Sequence, residues 1–116
     1  MSKRRVVITG IGAVTPLGLT AQESWEAVRQ GVCGIGPITQ YDPTGLKVQL
    51  AAEVKDFQPE TVLDRQAAKR MGRFTQFAMV ASRQAMESSG LDRAQVDLDR
   101  CGVIISSGIG GIAITE

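Results

Sequence analysis

Apolar and polar residues along the chain follow both strand and helix periodicities. Two short runs, 5–9 (RVVIT) and 101–106 (CGVIIS), are apolar and rich in β-branched residues without alternation. Such runs are typical of strands buried on both faces. Residues 48–54 differ, because apolar residues stand at the even positions and mostly polar ones between them. This period of two predicts a half-exposed edge strand.

Helices are predicted where capping residues precede apolar stripes. Thr20 and Glu23 form a T-x-x-E capping box ahead of a helix over about 21–30, with one apolar stripe of Ala21, Trp25 and Val28. Gly31 fits the left-handed position just past the end of that helix. Asp64 is a predicted N-cap for a short basic helix, Arg65–Arg70.

A longer helix is predicted over about 72–89, ending at Gly90. Its apolar residues share one face at spacings of three and four: Phe74, Phe77, Ala78, Ala81 and Ala85. Small residues on that side, which include Ser82, leave room for another segment to pack closely against the helix.

The remaining segments predict loops, and the order of elements defines the fold class. Residues 31–46 are rich in Gly and Pro, 91–100 form a polar connector, and 106–111 (SSGIGG) form a turn. The order β, α, loop, β, α, α, β is typical of an α/β protein. Two strands that are apolar on both faces need neighbours and covering helices, so we expect this chain to be part of a larger fold.

Composition and charge exclude several classes of protein. With 43% hydrophobic and 22% charged residues, the 116-residue chain fits one ordinary globular domain and is not disordered. A net charge of +1 provides no overall field for nucleic acid or membranes, so neither is expected as a partner. Because no apolar run approaches the roughly 18 residues of a membrane span and no signal peptide is evident, we expect a cytoplasmic protein.

The candidate chemistry of the chain is sparse. It contains no histidine, the commonest general base and metal ligand, and no metal site is expected. Cys33 and Cys101 lie in unrelated contexts, so a disulfide is not expected, and both are interpreted as ordinary packing residues.

Two glycine motifs raise the question of a ligand. Gly10-Ile-Gly12 follows a predicted strand, but Thr15 stands where a dinucleotide fingerprint has its third glycine, and 30–40 lacks the expected acidic residue. We therefore interpret these glycines as a tight turn against a neighbouring segment, and no cofactor is expected. The SSGIGG turn is either a flexible strand exit or the wall of a pocket in which Ile109 is the one bulky side chain.

Several stretches, in this order, resemble the β-ketoacyl-acyl-carrier-protein synthases, above all the type II elongating enzymes of bacteria. They are RRVVITGIGAVTPLG, SWEAVRQG followed by GI, the edge strand with VKDF, RQAAKRMGRFTQFA, QAMESSGL and SSGIGG. The resemblance implies a thiolase-like fold with α/β/α layers and five-stranded mixed sheets. Only the first strands and helices of its N-terminal half would lie in residues 1–116, as an incomplete domain. It also implies a homodimer.

The resemblance implies fatty acid elongation by decarboxylative Claisen condensation of malonyl carrier protein with an acyl carrier-protein thioester. In that reaction a cysteine takes the acyl group, and two histidines support decarboxylation. The resemblance places all three beyond residue 116, so this segment contains no catalytic residue and is predicted to be inactive alone.

Residue by residue, the resemblance implies two functional features in this segment. Ile109 matches the isoleucine that gates the acyl pocket. Arg65, Lys69 and Arg70 match the docking site for acyl- and malonyl-loaded carrier protein, an acidic partner that a basic patch would steer. Two positions depart from the family pattern, since Gln66 stands where a lysine is frequent and Gly72 where a capping aspartate is common.

Two other interpretations remain open at this stage. The chain could belong to a non-catalytic chain-length factor or a polyketide ketosynthase relative, which share the fold. It could also be an autonomous α/β binding module, for which the features above form a solvated surface.

Overall fold

The computed structural model describes residues 3–91 and 95–111. Its helices and strands are α1 (Ala21–Arg29), β1 (Gly36–Pro37), β2 (Leu50–Ala51), α2 (Arg65–Arg70) and α3 (Arg73–Ser89). Short 3-10 helices occupy Pro59–Thr61 and Leu98–Arg100. The chain divides into two units, one of Met1–Gly12 with Pro59–Glu116 and one of Ala13–Gln58. Among the described residues, no helix has the length and apolar character needed to cross a membrane.

In the unit Ala13–Gln58, α1 begins at the predicted capping box. The Thr20 hydroxyl accepts a hydrogen bond from the Glu23 amide at 3.1 Å, and the Glu23 carboxylate accepts one from the Thr20 amide at 3.1 Å. The helix ends at Gln30, and Gly31 follows with a φ of 70°, in the left-handed conformation predicted for it. The predicted apolar stripe is not buried in this unit, because Trp25 and Val28 are exposed.

The same unit contains a short antiparallel ladder in which Gly36 faces Ala51 and Pro37 faces Leu50. The prediction of an edge strand over 48–54 is therefore too long. Beyond the ladder the Ile38 amide still donates to the Gln49 carbonyl at 3.0 Å, whereas the next two amides, of Thr39 and Gln40, donate to the side chain of Glu53. Its orientation also differs from the prediction, since Leu50 is exposed while Ala51 is half-buried.

In the unit of Met1–Gly12 and Pro59–Glu116, the helices have the predicted positions. Asp64 caps α2, and α3 begins after Gly72, which provides no side-chain cap. Gly90 ends α3 with a φ of 64°. The buried hydrophobic residues among those described are Ala68 on α2 and Val80 on α3, which are 1% and 4% exposed. α2 contacts the 3-10 helix Pro59–Thr61, which in turn contacts α3.

The predicted close approach to α3 is made by the first glycine motif. A Cβ atom at Gly12 would overlap the carbonyl oxygen of Ala81 and would lie 2.8 Å from the Ala85 nitrogen. A Cβ atom at Gly10 would overlap the Ala85 carbonyl oxygen in the same way. Between them, the Ile11 amide donates to the Ser88 hydroxyl at 3.0 Å. The predicted close approach of Gly10 and Gly12 to a neighbour is confirmed, whereas the turn of the chain lies further along, between Thr15 and Gly18.

The prediction of two buried strands at 5–9 and 101–106 is wrong for the described residues. Neither segment pairs in a sheet there, and both are exposed, with Val6 at 92% and Ile104 at 97% exposure. A strand requires a hydrogen-bonded neighbour for its amides and carbonyls, and an apolar run is buried only where another layer covers it. The described residues provide the apolar sequence of these strands but not the neighbours and cover.

Candidate functional site

The predicted basic docking surface lies on α2. The Asp64 carboxylate accepts hydrogen bonds from the amides of Gln66 and Ala67 at 3.0 and 2.9 Å, which starts the helix. Ala68 is buried, and the three predicted docking cations are exposed: Arg65, Lys69 and Arg70. Within residues 3–91 and 95–111, none of these cations forms an ion pair. Their charges are therefore available to an acidic partner.

Side chains on one face of α3 hold the segment that carries this surface. The Gln76 side-chain amide donates to the carbonyls of Ala68 and Met71 at 2.9 and 3.3 Å. Two turns further along, Arg83 donates to the Val62 carbonyl at 2.6 Å and pairs with Glu87 at 3.0 Å. The sequence prediction missed Gln76 and Arg83, because nothing near them in the sequence indicates which backbone carbonyls they reach.

Ile109 lies in the tight turn predicted for SSGIGG. The Ser107 hydroxyl accepts a hydrogen bond from the Gly110 amide at 3.0 Å, and Gly110 has a φ of 75°. This turn presents Ile109 with 81% of its surface exposed. The side chain is thus apolar, bulky and largely exposed, and it is not among the residues that line the groove described next.

A separate apolar groove of about 450 Å³ lies in the same unit. It is bounded by residues 8–10, one side of α3 with Leu91, and residues 102–105. Its lining contains no ionisable side chain. The groove can therefore hold apolar groups, and its polar side chains are the hydroxyls of Thr9, Ser82 and Ser89. It brings together the two apolar segments that the sequence predicted as strands, next to the small-residue side of α3.

Neither cysteine has the packing role expected from the sequence. Cys33 and Cys101 are both exposed and unpaired. The Cys101 thiol donates to the Asp97 carbonyl at 3.4 Å, across the 3-10 helix Leu98–Arg100, and the residues that follow it, 102–106, are exposed.

Two carboxylates with lowered pKa values lie in the unit Ala13–Gln58. The Thr39 hydroxyl, which donates to Glu53 at 2.7 Å, is the main cause that lowers the pKa of the Glu53 carboxyl, and the Thr39 amide adds to it. In the same way, the Thr44 hydroxyl and amide lower the pKa of Asp42. Both carboxylates hold exposed loops through hydrogen bonds to their charged form.

The described helices and the short ladder form part of an α/β fold. The family profile for the beta-ketoacyl synthase N-terminal domain matches residues 3–115. The chain therefore belongs to the beta-ketoacyl synthase family, and its fold is part of the thiolase-like fold expected from the sequence.

Curated relatives agree with this assignment. The chain is 48% identical over 116 residues to a 3-oxoacyl-[acyl-carrier-protein] synthase 2 of Coxiella burnetii and 45% identical over 116 residues to one of Synechocystis. In both comparisons the match covers 100% of this chain and 28% of the relative. A Staphylococcus aureus protein of the same name is 46% identical over 113 residues. The chain thus spans less than a third of the length of these relatives.

A solved structure also resembles this chain. It is described as the ishigamide ketosynthase/chain length factor and superimposes with a TM-score of 0.73 at 35% sequence identity. The superposition covers 82% of this chain and 24% of that one.

Proposed function

We propose that this chain is the N-terminal part of a 3-oxoacyl-acyl-carrier-protein synthase that elongates fatty acyl chains. The observation that carries the proposal is the match of one family profile to residues 3–115, joined with relatives of that name at 45–48% identity. In the proposed reaction, a cysteine thiolate displaces the carrier-protein thiol and forms an acyl-enzyme thioester. Loss of carbon dioxide from malonyl carrier protein then leaves a carbanion, which attacks that thioester and releases the cysteine.

The segment would provide scaffold, docking surface and pocket gate rather than catalytic groups. Its lack of histidine fits this division, since the decarboxylation step in this family depends on imidazoles. We infer that Arg65, Lys69 and Arg70 receive the acidic carrier protein, because they are exposed and form no ion pair within the described residues. Ile109 would control entry of the acyl chain, a role supported by its exposure in a tight glycine turn.

The first test is a hybrid synthase, in which this chain replaces the aligned 116 residues of the Coxiella burnetii synthase. We expect the hybrid to release carbon dioxide from malonyl carrier protein and to lengthen an acyl carrier-protein substrate. The isolated chain should do neither. A hybrid that folds like the parent enzyme but does not turn over would contradict the proposal.

The docking surface is tested in the same hybrid by charge reversal. Lys69→Glu with Arg70→Glu should raise the KM for the carrier-protein substrate roughly tenfold at low salt, with a smaller effect at high salt. Arg29→Glu with Lys47→Glu is the matched control, since both residues are exposed cations outside α2 and the change in net charge is the same. Equal effects of the two pairs would show that overall charge, not α2, recruits the partner.

A chain-length factor is the second candidate, because the solved structure that this chain resembles is described by that name together with a ketosynthase. Such a protein would keep the fold and the docking surface but lack the nucleophile. The two candidates differ in the residue at the nucleophile position of the full-length protein. A cysteine there favours the synthase, and any other residue favours the chain-length factor.

We further propose that the full-length protein is a cytoplasmic homodimer. This proposal is supported by the family assignment and by the exposed apolar residues of the segment, which need cover. Light scattering of the full-length protein should give the mass of two chains, and fractionation should place it with the soluble proteins.

A further inference from the structure

We propose that Gln76 is a positioning residue for carrier-protein recognition, because its side-chain amide holds the backbone on both sides of Lys69 and Arg70. The two carbonyls it bonds belong to Ala68 and Met71, the residues immediately before and after this pair of cations. The inference rests on the proposed docking function of α2 and adds a residue that does not itself touch the partner.

α2 depends on such contacts for its position. It has only six residues, and helices this short do not persist in water by themselves. The carbonyls of its last turn have no partner within the helix. The Ala68 carbonyl accepts hydrogen bonds from the Gln76 side-chain amide at 2.9 Å and from the Met71 backbone amide at 3.1 Å. The end of α2 that carries the cations is therefore held in part by a side chain of α3.

The contact is part of a continuous face of α3. Gln76, Val80 and Arg83 follow at spacings of four and three, which places them on the same side of the helix. Val80 is buried there, and Arg83 reaches the Val62 carbonyl just before α2. The segment 59–71 is therefore held at two points, and Gln76 is the point next to the cations.

The arrangement has a consequence for recognition. A cation on a freely moving segment loses orientational entropy when it pairs with a carboxylate, whereas a cation on a held backbone loses less. Removing the Gln76 amide should therefore weaken binding of the carrier protein without changing the number of charges on α2.

The test uses the hybrid synthase and compares one acyl group on two carriers, the carrier protein and coenzyme A. Gln76→Met keeps the length of the side chain but removes both donated hydrogen bonds. We expect its KM for the acyl carrier-protein substrate to rise about two- to tenfold, the range of one or two weakened surface charge contacts. With the same acyl group on coenzyme A, which has no carrier protein to dock, KM and kcat should stay unchanged.

A matched control and a second variant complete the experiment. Gln84→Met makes the same chemical change about 12 Å further along α3 and should leave both substrates unaffected. If Gln76→Met does not fold, Gln76→Asn replaces it, since its shorter side chain keeps the amide but withdraws it from the two carbonyls. The same shift in KM is then expected.

The outcomes separate this inference from the proposed function. If Lys69→Glu with Arg70→Glu raises the carrier-protein KM but the Gln76 variant does not, α2 is the docking surface and the positioning role is wrong. If the Gln76 variant impairs both substrates equally, its role is general stability and the inference is also wrong. If charge reversal has no effect, the docking function itself fails.

Discussion

The contact of Gly12 with α3 predicts a large cost for a single methyl group. In Gly12→Ala, the new Cβ atom would overlap the Ala81 carbonyl oxygen and lie 2.8 Å from the Ala85 nitrogen and 2.9 Å from the Ala81 carbonyl carbon. All three are backbone atoms of the 17-residue helix α3, so they cannot rotate away as a side chain would. The segment that carries residue 12 must move instead.

The magnitude follows from the contacts that this movement breaks. Overpacking of a close contact costs about 1–3 kcal/mol. The displaced segment also loses the hydrogen bonds between the Ile11 backbone and the Ser88 hydroxyl, at 3.0 and 3.2 Å. Because these bonds are exposed, they contribute roughly 0.5 kcal/mol each. The free energy of unfolding should therefore fall by about 2–4 kcal/mol, a large part of the ~5–15 kcal/mol typical of a domain.

The assay compares urea unfolding of the chain with that of its Gly12→Ala variant. Unfolding is monitored by far-ultraviolet circular dichroism, which is dominated by the signal of the helices. Gly102→Ala is the control, since a Cβ atom at Gly102 meets nothing within 4 Å and the residue lies in the same unit. We expect the control to be neutral or stabilising by up to about 1 kcal/mol, because alanine restricts the unfolded chain. If Gly12→Ala and Gly102→Ala agree within about 0.5 kcal/mol, the close contact does not exist as described.

Two further predictions concern Ile109 and Glu53. In the hybrid synthase, Ile109→Phe should shorten the longest acyl chain that is accepted while Ile109→Val should not, and an unaltered profile of product lengths would show that Ile109 is not the gate. Because hydrogen bonds from Thr39 lower the pKa of Glu53 in the folded chain, these bonds stabilise the loop above the unfolded pKa and are lost as pH falls through the lowered folded value. The chemical shift of the Thr39 amide, followed by NMR during acid titration, should change with a midpoint at a pH below the usual pKa of a glutamate. In Glu53→Gln this change should be absent. A midpoint at or above the usual pKa would contradict the prediction.

The helices could be predicted because their signals are local. The capping box of Thr20 and Glu23, the Asp64 cap and the terminal Gly90 each act within one turn of the helix they bound. The sequence therefore placed α1, α2 and α3 to within one residue. The same locality holds for the turn at Gly110, whose positive φ favours glycine.

The strands could not be placed in the same way, because a strand depends on its partner. Residues 5–9 and 101–106 have the composition of buried strands, yet composition does not state which segment pairs with them or covers them. The short ladder of β1 and β2 shows the same limit. At one end of it the amides of Thr39 and Gln40 donate to the Glu53 carboxylate, a contact that the alternation of apolar and polar residues does not indicate.

The residues of the candidate site also differ in whether the sequence alone could identify them. The cations of α2 are predicted as a set by the family resemblance, and the structure shows them exposed. Gln76 could not be found, since its role depends on reaching the far end of a neighbouring helix. For the glycine motif, the close approach to a neighbouring segment could be predicted from the sequence. The residues that it contacts, Ala81 and Ala85, could not.

The close contact of Gly10 and Gly12 with the backbone of α3 has a consequence for genetic selection. The atoms that a side chain at position 12 would strike belong to the peptide groups of residues 81 and 85, which every amino acid shares. No suppressor mutation at those two sites can make room, because a smaller side chain leaves the obstructing oxygen in place. Suppressors of a Gly12→Ala allele are thus expected at residues other than 81 and 85, beside true revertants that restore glycine.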